Sequence, residues 1–78
     1  MRPRELQLVI AFESTASALT FESAATNSGL SGRLIPVPTT ITAGCGLAWR
    51  ESPANRAQAE QLLRTLSIQD ATLYELVI

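Results

Sequence analysis

Cys45 is the single cysteine of the chain, and it stands between Gly44 and Gly46. A thiol is the strongest nucleophile this sequence contains. Flanking glycines leave the sulfur uncrowded and let two backbone N–H groups turn toward an anion. A free thiol titrates near ~8.5, so only a few per cent is thiolate at neutral pH unless nearby positive charge lowers that value. The sequence offers three sources of such charge: the N–H groups of the turn, the amino end of a helix starting near Ser14 and Thr15, and the guanidinium groups of Arg50 and Arg33.

None of these is a proton acceptor. The chain has no histidine and no lysine among its 78 residues, which excludes Ser–His and Cys–His dyads, an imidazole metal ligand, a Schiff base and a phosphate-loop lysine. Gly44-Cys45-Gly46 lacks phosphate-loop spacing and precedes a strand rather than a helix. A cysteine without a base suits a reaction in which the thiolate accepts a group and passes it on; it suits hydrolytic turnover poorly. A lone cysteine also has an inert reading, as a small buried hydrophobe. Glu13, Glu51 and Asp70 show no spacing that pairs carboxylates and read as solvated charges, while Trp49, with no second aromatic beside it, reads as core. No metal or cofactor site is expected.

Hydropathy patterning supplies the elements that must hold the cysteine. Leu6, Leu8, Ile10 and Phe12 alternate on one face of a first strand. Ser14 or Thr15 caps a helix with Ala18, Phe21 and Ala25 at helical spacing, and Gly29 closes it. Arg33 to Pro38 forms a second strand whose prolines confine it to a sheet edge. Leu47 to Arg50 returns as a third strand, so Cys45, Leu47 and Trp49 share a face if that strand reaches back to the turn. Ser52-Pro53 starts a second helix with Ala59, Leu62, Leu63 and Leu66 on its buried side, and Leu73 to Ile78 closes the chain as a fourth strand.

The order is βαββαβ, an α+β class, ferredoxin-like sandwich. A four-stranded antiparallel sheet in order 4-1-3-2 carries both helices on one face. The whole chain, 1–78, forms one domain. This topology sets the strand-2 to strand-3 turn at the same end of the sheet as the start of the first helix. Val9, Ala11 and Ala48 fall on the other sheet face, which is less polar than a solvated face should be; a homodimer or a docked partner protein is expected there.

Bulk composition bounds the rest. Hydrophobic residues make up 46% and charged residues 17%, with a net charge of −1, so a packed domain is expected rather than disorder. The six arginines are spread along the sequence among the acids, giving no basic stripe and no nucleic-acid partner. Leu8 to Phe12 is the longest apolar run, too short for a membrane span. The basic start, Met1 to Arg4, precedes a stretch too short and too alternating for a signal peptide. One cysteine forms no internal disulfide, which points to a reducing, cytoplasmic setting.

Two segments, Gly32-Arg33-Leu34-Ile35-Pro36-Val37-Pro38 and Ala43-Gly44-Cys45-Gly46-Leu47-Ala48, resemble the selenium/sulfur carrier-like family, a group of short bacterial and archaeal proteins. The resemblance extends from Val9-Ile10-Ala11-Phe12 to the terminal strand. It implies a non-enzymatic carrier that holds sulfur or selenium on Cys45 as a persulfide or selenopersulfide, between a donor protein such as a cysteine desulfurase and an acceptor. Members often carry a basic residue after the second proline, where this chain has Thr39-Thr40. Two alternatives stay open: a small binding or regulatory module with an inert thiol, and a thiol redox enzyme, which a missing second cysteine disfavours.

Overall fold

The computed structural model describes residues 4–39, 41 and 46–78. The chain runs β1 (Leu6–Phe12), α1 (Thr15–Asn27), β2 (Arg33–Pro36), β3 (Leu47–Glu51), a 3-10 turn (Pro53–Asn55), α2 (Arg56–Thr65) and β4 (Ala71–Val77). The strands form one sheet in the order β2-β3-β1-β4, each neighbouring pair antiparallel. This is the expected ferredoxin-like α+β arrangement, with β2 at an edge. No helix among the described residues is long and apolar enough to cross a membrane.

Local chemistry explains the boundaries. Ser14 takes the extended conformation at the amino end of α1, and its Oγ accepts from the Ser17 N–H at 3.2 Å, satisfying one of the helix's orphan donors. At the other end Gly29 adopts a left-handed φ of 84° while the Leu30 N–H returns to the Ala25 carbonyl at 3.0 Å, so the closing residue needs glycine for its backbone conformation. β2 ends two residues before the expected limit. The Val37 N–H still reaches the Gly46 carbonyl at 3.0 Å, but Pro38 has no N–H with which to extend the ladder.

The second helix also starts later than Ser52-Pro53 suggests. Ser52 Oγ accepts from Ala54 N–H at 3.3 Å and begins a 3-10 turn, and α2 follows from Arg56 without a side-chain cap at Asn55. Asn55 is otherwise engaged: its Nδ2 donates to Glu51 Oε2 at 3.0 Å. β4 starts at Ala71 rather than Leu73, because Ala71 pairs with Phe12 at the far end of β1.

The main core lies between the sheet and the two helices. Leu8, Ile10, Phe12 and Trp49 from the sheet meet Ala18, Phe21 and Ala25 of α1 and Ala59 and Leu63 of α2. Phe21 sits at the centre, 5.6 Å from the Phe12 ring and 5.5 Å from Trp49 in an edge-on contact, a favourable geometry for aromatic pairs. Trp49 is therefore core.

Val9, Ala11 and Ala48 do lie on the opposite sheet face, but they are not bare. Val9 and Ala48 are 0% exposed. Ile41, from the β2–β3 connection, packs on this face in one cluster with them, bordered by Ile35, Val37, Tyr74 and Leu76. A Pro38–Ile41 hydrogen bond of 2.9 Å helps fold the connection over. The chain thus covers with its own residues the patch from which a homodimer was expected.

Candidate functional site

The β2–β3 connection carries the chain's one thiol, and the register of the sheet fixes which residues surround its ends. Pro36 and Leu47 are the last paired residues of this hairpin. β1 pairs Ala11 with Ala48, and β4 pairs Ala71 with Phe12. Phe12, Pro36, Leu47 and Ala71 therefore lie at one end of the sheet, where α1 also begins. Gly44 and Cys45 themselves lie outside the described residues, so the shared face expected for Cys45 with Leu47 and Trp49 holds for the last two alone.

Gly46 has a φ of 74°, and a side chain there would meet nothing within 4 Å. Its glycine is required by backbone conformation and not by crowding.

Ser14 and Thr15 open α1 at this end. Ser14 Oγ donates to Asp70 Oδ2 at 2.9 Å and lies 2.9 Å from the Ser17 hydroxyl, while the Glu13 N–H bonds the Asp70 carbonyl at 2.9 Å. The hydroxyls of Ser17 and Ser14 hold the Asp70 carboxyl below its ordinary value. A carboxylate thus already sits against the positive end of α1, a favourable position for an anion. This contact was not legible in advance, since Asp70 is 56 residues from Ser14.

Arg33 and Arg50 are brought together, but elsewhere. They are register partners across β2 and β3. Three register steps separate them from Pro36 and Leu47, about 10 Å at ~3.3 Å per residue. Alternation turns both away from the helix-covered face, whose residues here are Leu34, Leu47 and Trp49.

Glu51 is the residue whose role sequence reading missed. Far from being a solvated charge, it is 1% exposed. Oε1 accepts from Gly32 N–H and Trp49 Nε1, both at 3.1 Å. Oε2 accepts from Asn55 Nδ2 at 3.0 Å, Ser52 N–H at 3.1 Å and, more weakly, Ser31 Oγ at 3.5 Å. Burial pushes its pKa up, but these hydrogen bonds outweigh it and hold the carboxyl below its usual range. One signal was available: period two along β3 places residue 51 on the face of Leu47 and Trp49.

The same carboxylate accounts for Gly32. A Cβ there would collide with the Arg50 carbonyl and stand 2.6 Å from Trp49 Nε1 and 2.8 Å from Glu51 Oε1. Here close approach, rather than backbone conformation, excludes a side chain.

Fold and hairpin define a small ferredoxin-like α+β domain whose β2–β3 connection holds one cysteine. The chain belongs to the putative Se/S carrier protein-like family, whose model matches residues 7–75. No curated protein and no solved structure matches it.

Proposed function

We propose that the protein is a stoichiometric carrier of sulfur or selenium, with Cys45 as the atom-bearing thiol. The observation that carries this reading is membership of the Se/S carrier-like family over residues 7–75, in a chain whose single thiol lies in the hairpin connection and which has no histidine to serve as a base. The Cys45 thiolate would attack the outer sulfur of a donor's persulfide. The S–S bond of the donor breaks, its cysteine leaves as thiolate, and Cys45 keeps the transferred atom as a persulfide. No net oxidation occurs, and the reverse attack by an acceptor thiolate unloads the carrier. Gly44 and Gly46 would supply backbone N–H groups and access. Arg33 and Arg50, three register steps from Pro36 and Leu47, would contribute positive charge to the field at the thiolate. The lone thiol fits a reducing, cytoplasmic setting, and a cysteine desulfurase is the donor of matching chemistry.

The test is intact mass. After incubation with a cysteine desulfurase and cysteine, the protein should gain one sulfur atom, and Cys45→Ser should gain none. An unchanged wild-type mass, or a gain that survives the substitution, overturns the reading. One observation favours the alternative of a binding module with an inert thiol: Asp70 already occupies the amino end of α1. The pH dependence of Cys45 alkylation separates the two. A thiol titrating below ~8.5 supports the carrier, and one at or above that value supports the inert module.

A further inference from the structure

The end of the sheet remote from the cysteine turn holds a cavity of about 580 Å³, walled by the start of β1, the end of β3 and the segment before β2. That size is ordinary for a small-molecule site. Arg4 and Arg50 line it, and Arg33 faces Arg50 across the β2–β3 ladder. Half of the six arginines, widely spaced in sequence, thus converge at one end of the molecule.

Three observations bear on what this place binds. Like charges directly opposite each other in a sheet are destabilising, yet Arg33 and Arg50 occupy such a pair. Among the described residues, neither forms an ion pair, whereas Arg56 has two, to Glu60 at 2.9 Å and Glu75 at 2.7 Å. The cavity's two acids do not meet the need. Glu51 is saturated by donors from Gly32, Trp49, Ser52 and Asn55, and Glu5 is exposed and accepts from Gln7 at 3.4 Å.

We infer that this arginine-lined cavity is a binding site for a small oxyanion, a phosphate monoester or a carboxylate. A guanidinium presents a planar fork of donors that matches either group in bidentate fashion. An anion in the cavity would meet Arg50 directly and offset its repulsion with neighbouring Arg33, while Arg4, which also donates to the Val77 carbonyl at 3.2 Å, lines the same space. Gln7 and Ser31, also in the wall, offer polar contacts to the remainder of a metabolite-sized ligand. The site does not depend on the thiol.

The experiment titrates the full chain with inorganic phosphate and, separately, succinate at constant ionic strength, with chloride as control, followed by backbone amide shifts and thermal midpoint. Saturable shifts centred on Gly32, Arg33 and Arg50 are expected with one or both probes, together with a rise in midpoint that chloride does not reproduce. The arm that saturates assigns phosphate or carboxylate. Arg50→Gln should weaken binding by about tenfold or more, as loss of a charged hydrogen-bonding group predicts, with Arg50→Lys intermediate. In low-salt, probe-free buffer, Arg33→Gln should melt above the wild type, because it relieves the repulsion; a merely structural arginine would not behave so. Cys45→Ser should bind as the wild type does, so failure here leaves the carrier reading untouched. Absence of saturation with both probes, an equal response to chloride, or wild-type affinity in Arg50→Gln overturns the inference.

Discussion

Glu51 concentrates in one side chain the problem of placing a charge inside a protein of 78 residues. All its partners are donors, so no isosteric amide can replace it. A glutamine there would set an NH₂ group against Trp49 Nε1 and Gly32 N–H, or against Ser52 N–H and Asn55 Nδ2. Glu51→Gln should therefore destabilise the fold by about 2–3 kcal/mol, the range for losing hydrogen bonds to a charged group, read from urea denaturation at pH 7. The sign of the pH dependence follows from the lowered pKa. Deprotonated Glu51 stabilises the folded state fully above its unfolded value, near 4.5, and this contribution fades as pH falls through the lower folded value. Wild type should lose more stability than Glu51→Gln between pH 6 and pH 3; parallel loss in both would show that other groups carry the acid response.

At the scale of elements, α1 and the β2–β3 hairpin show what period and punctuation reveal. Ser14, Gly29 and the edge prolines of β2 announce their roles through residue type alone, and each acts within a few residues of itself. The same reading could not join Ser14 to Asp70, because only the packing of the loop before β4 against the start of α1 brings them within 2.9 Å. Ser14→Ala should cost about 1 kcal/mol from loss of the helix cap. It should also let the Asp70 carboxyl rise toward its ordinary value near 3.8, since the Ser14 hydroxyl is one of the groups holding it down. Carbon-detected NMR titration of Asp70 in the two proteins measures this. An unmoved Asp70 would assign the shift to Ser17 and the backbone N–H groups instead.

For the whole molecule, the decisive residue is Ile41. The outer sheet face is apolar, as Val9, Ala11 and Ala48 require, but Ile41 is 6% exposed within the same cluster and closes it from within the chain. Among the described residues, the large apolar ones that remain exposed, Leu6, Leu19 and Val77, do not belong to that cluster. The protein should accordingly be a monomer by light scattering at tens of micromolar. Ile41→Ser, which uncovers Val9, Ala11 and Ala48, should bind more of an apolar dye and begin to self-associate. A wild-type dimer would restore the open face as an interface.

Residue types and their spacing, by themselves, determined the βαββαβ order, the edge position of β2, the core faces of both helices and the identity of the only thiol. These rest on periods of two and 3.6 residues and on the backbone limits of glycine and proline, which act locally. Tertiary structure decided that five donors gather on Glu51, that Asp70 accepts from the Ser14 hydroxyl at the start of α1, that Ile41 covers the outer face, and that Arg4 and Arg50 share a cavity with Arg33 beside it. Each of those depends on segments distant in sequence reaching the same place, and neither charge nor hydropathy at a single position specifies which partner arrives.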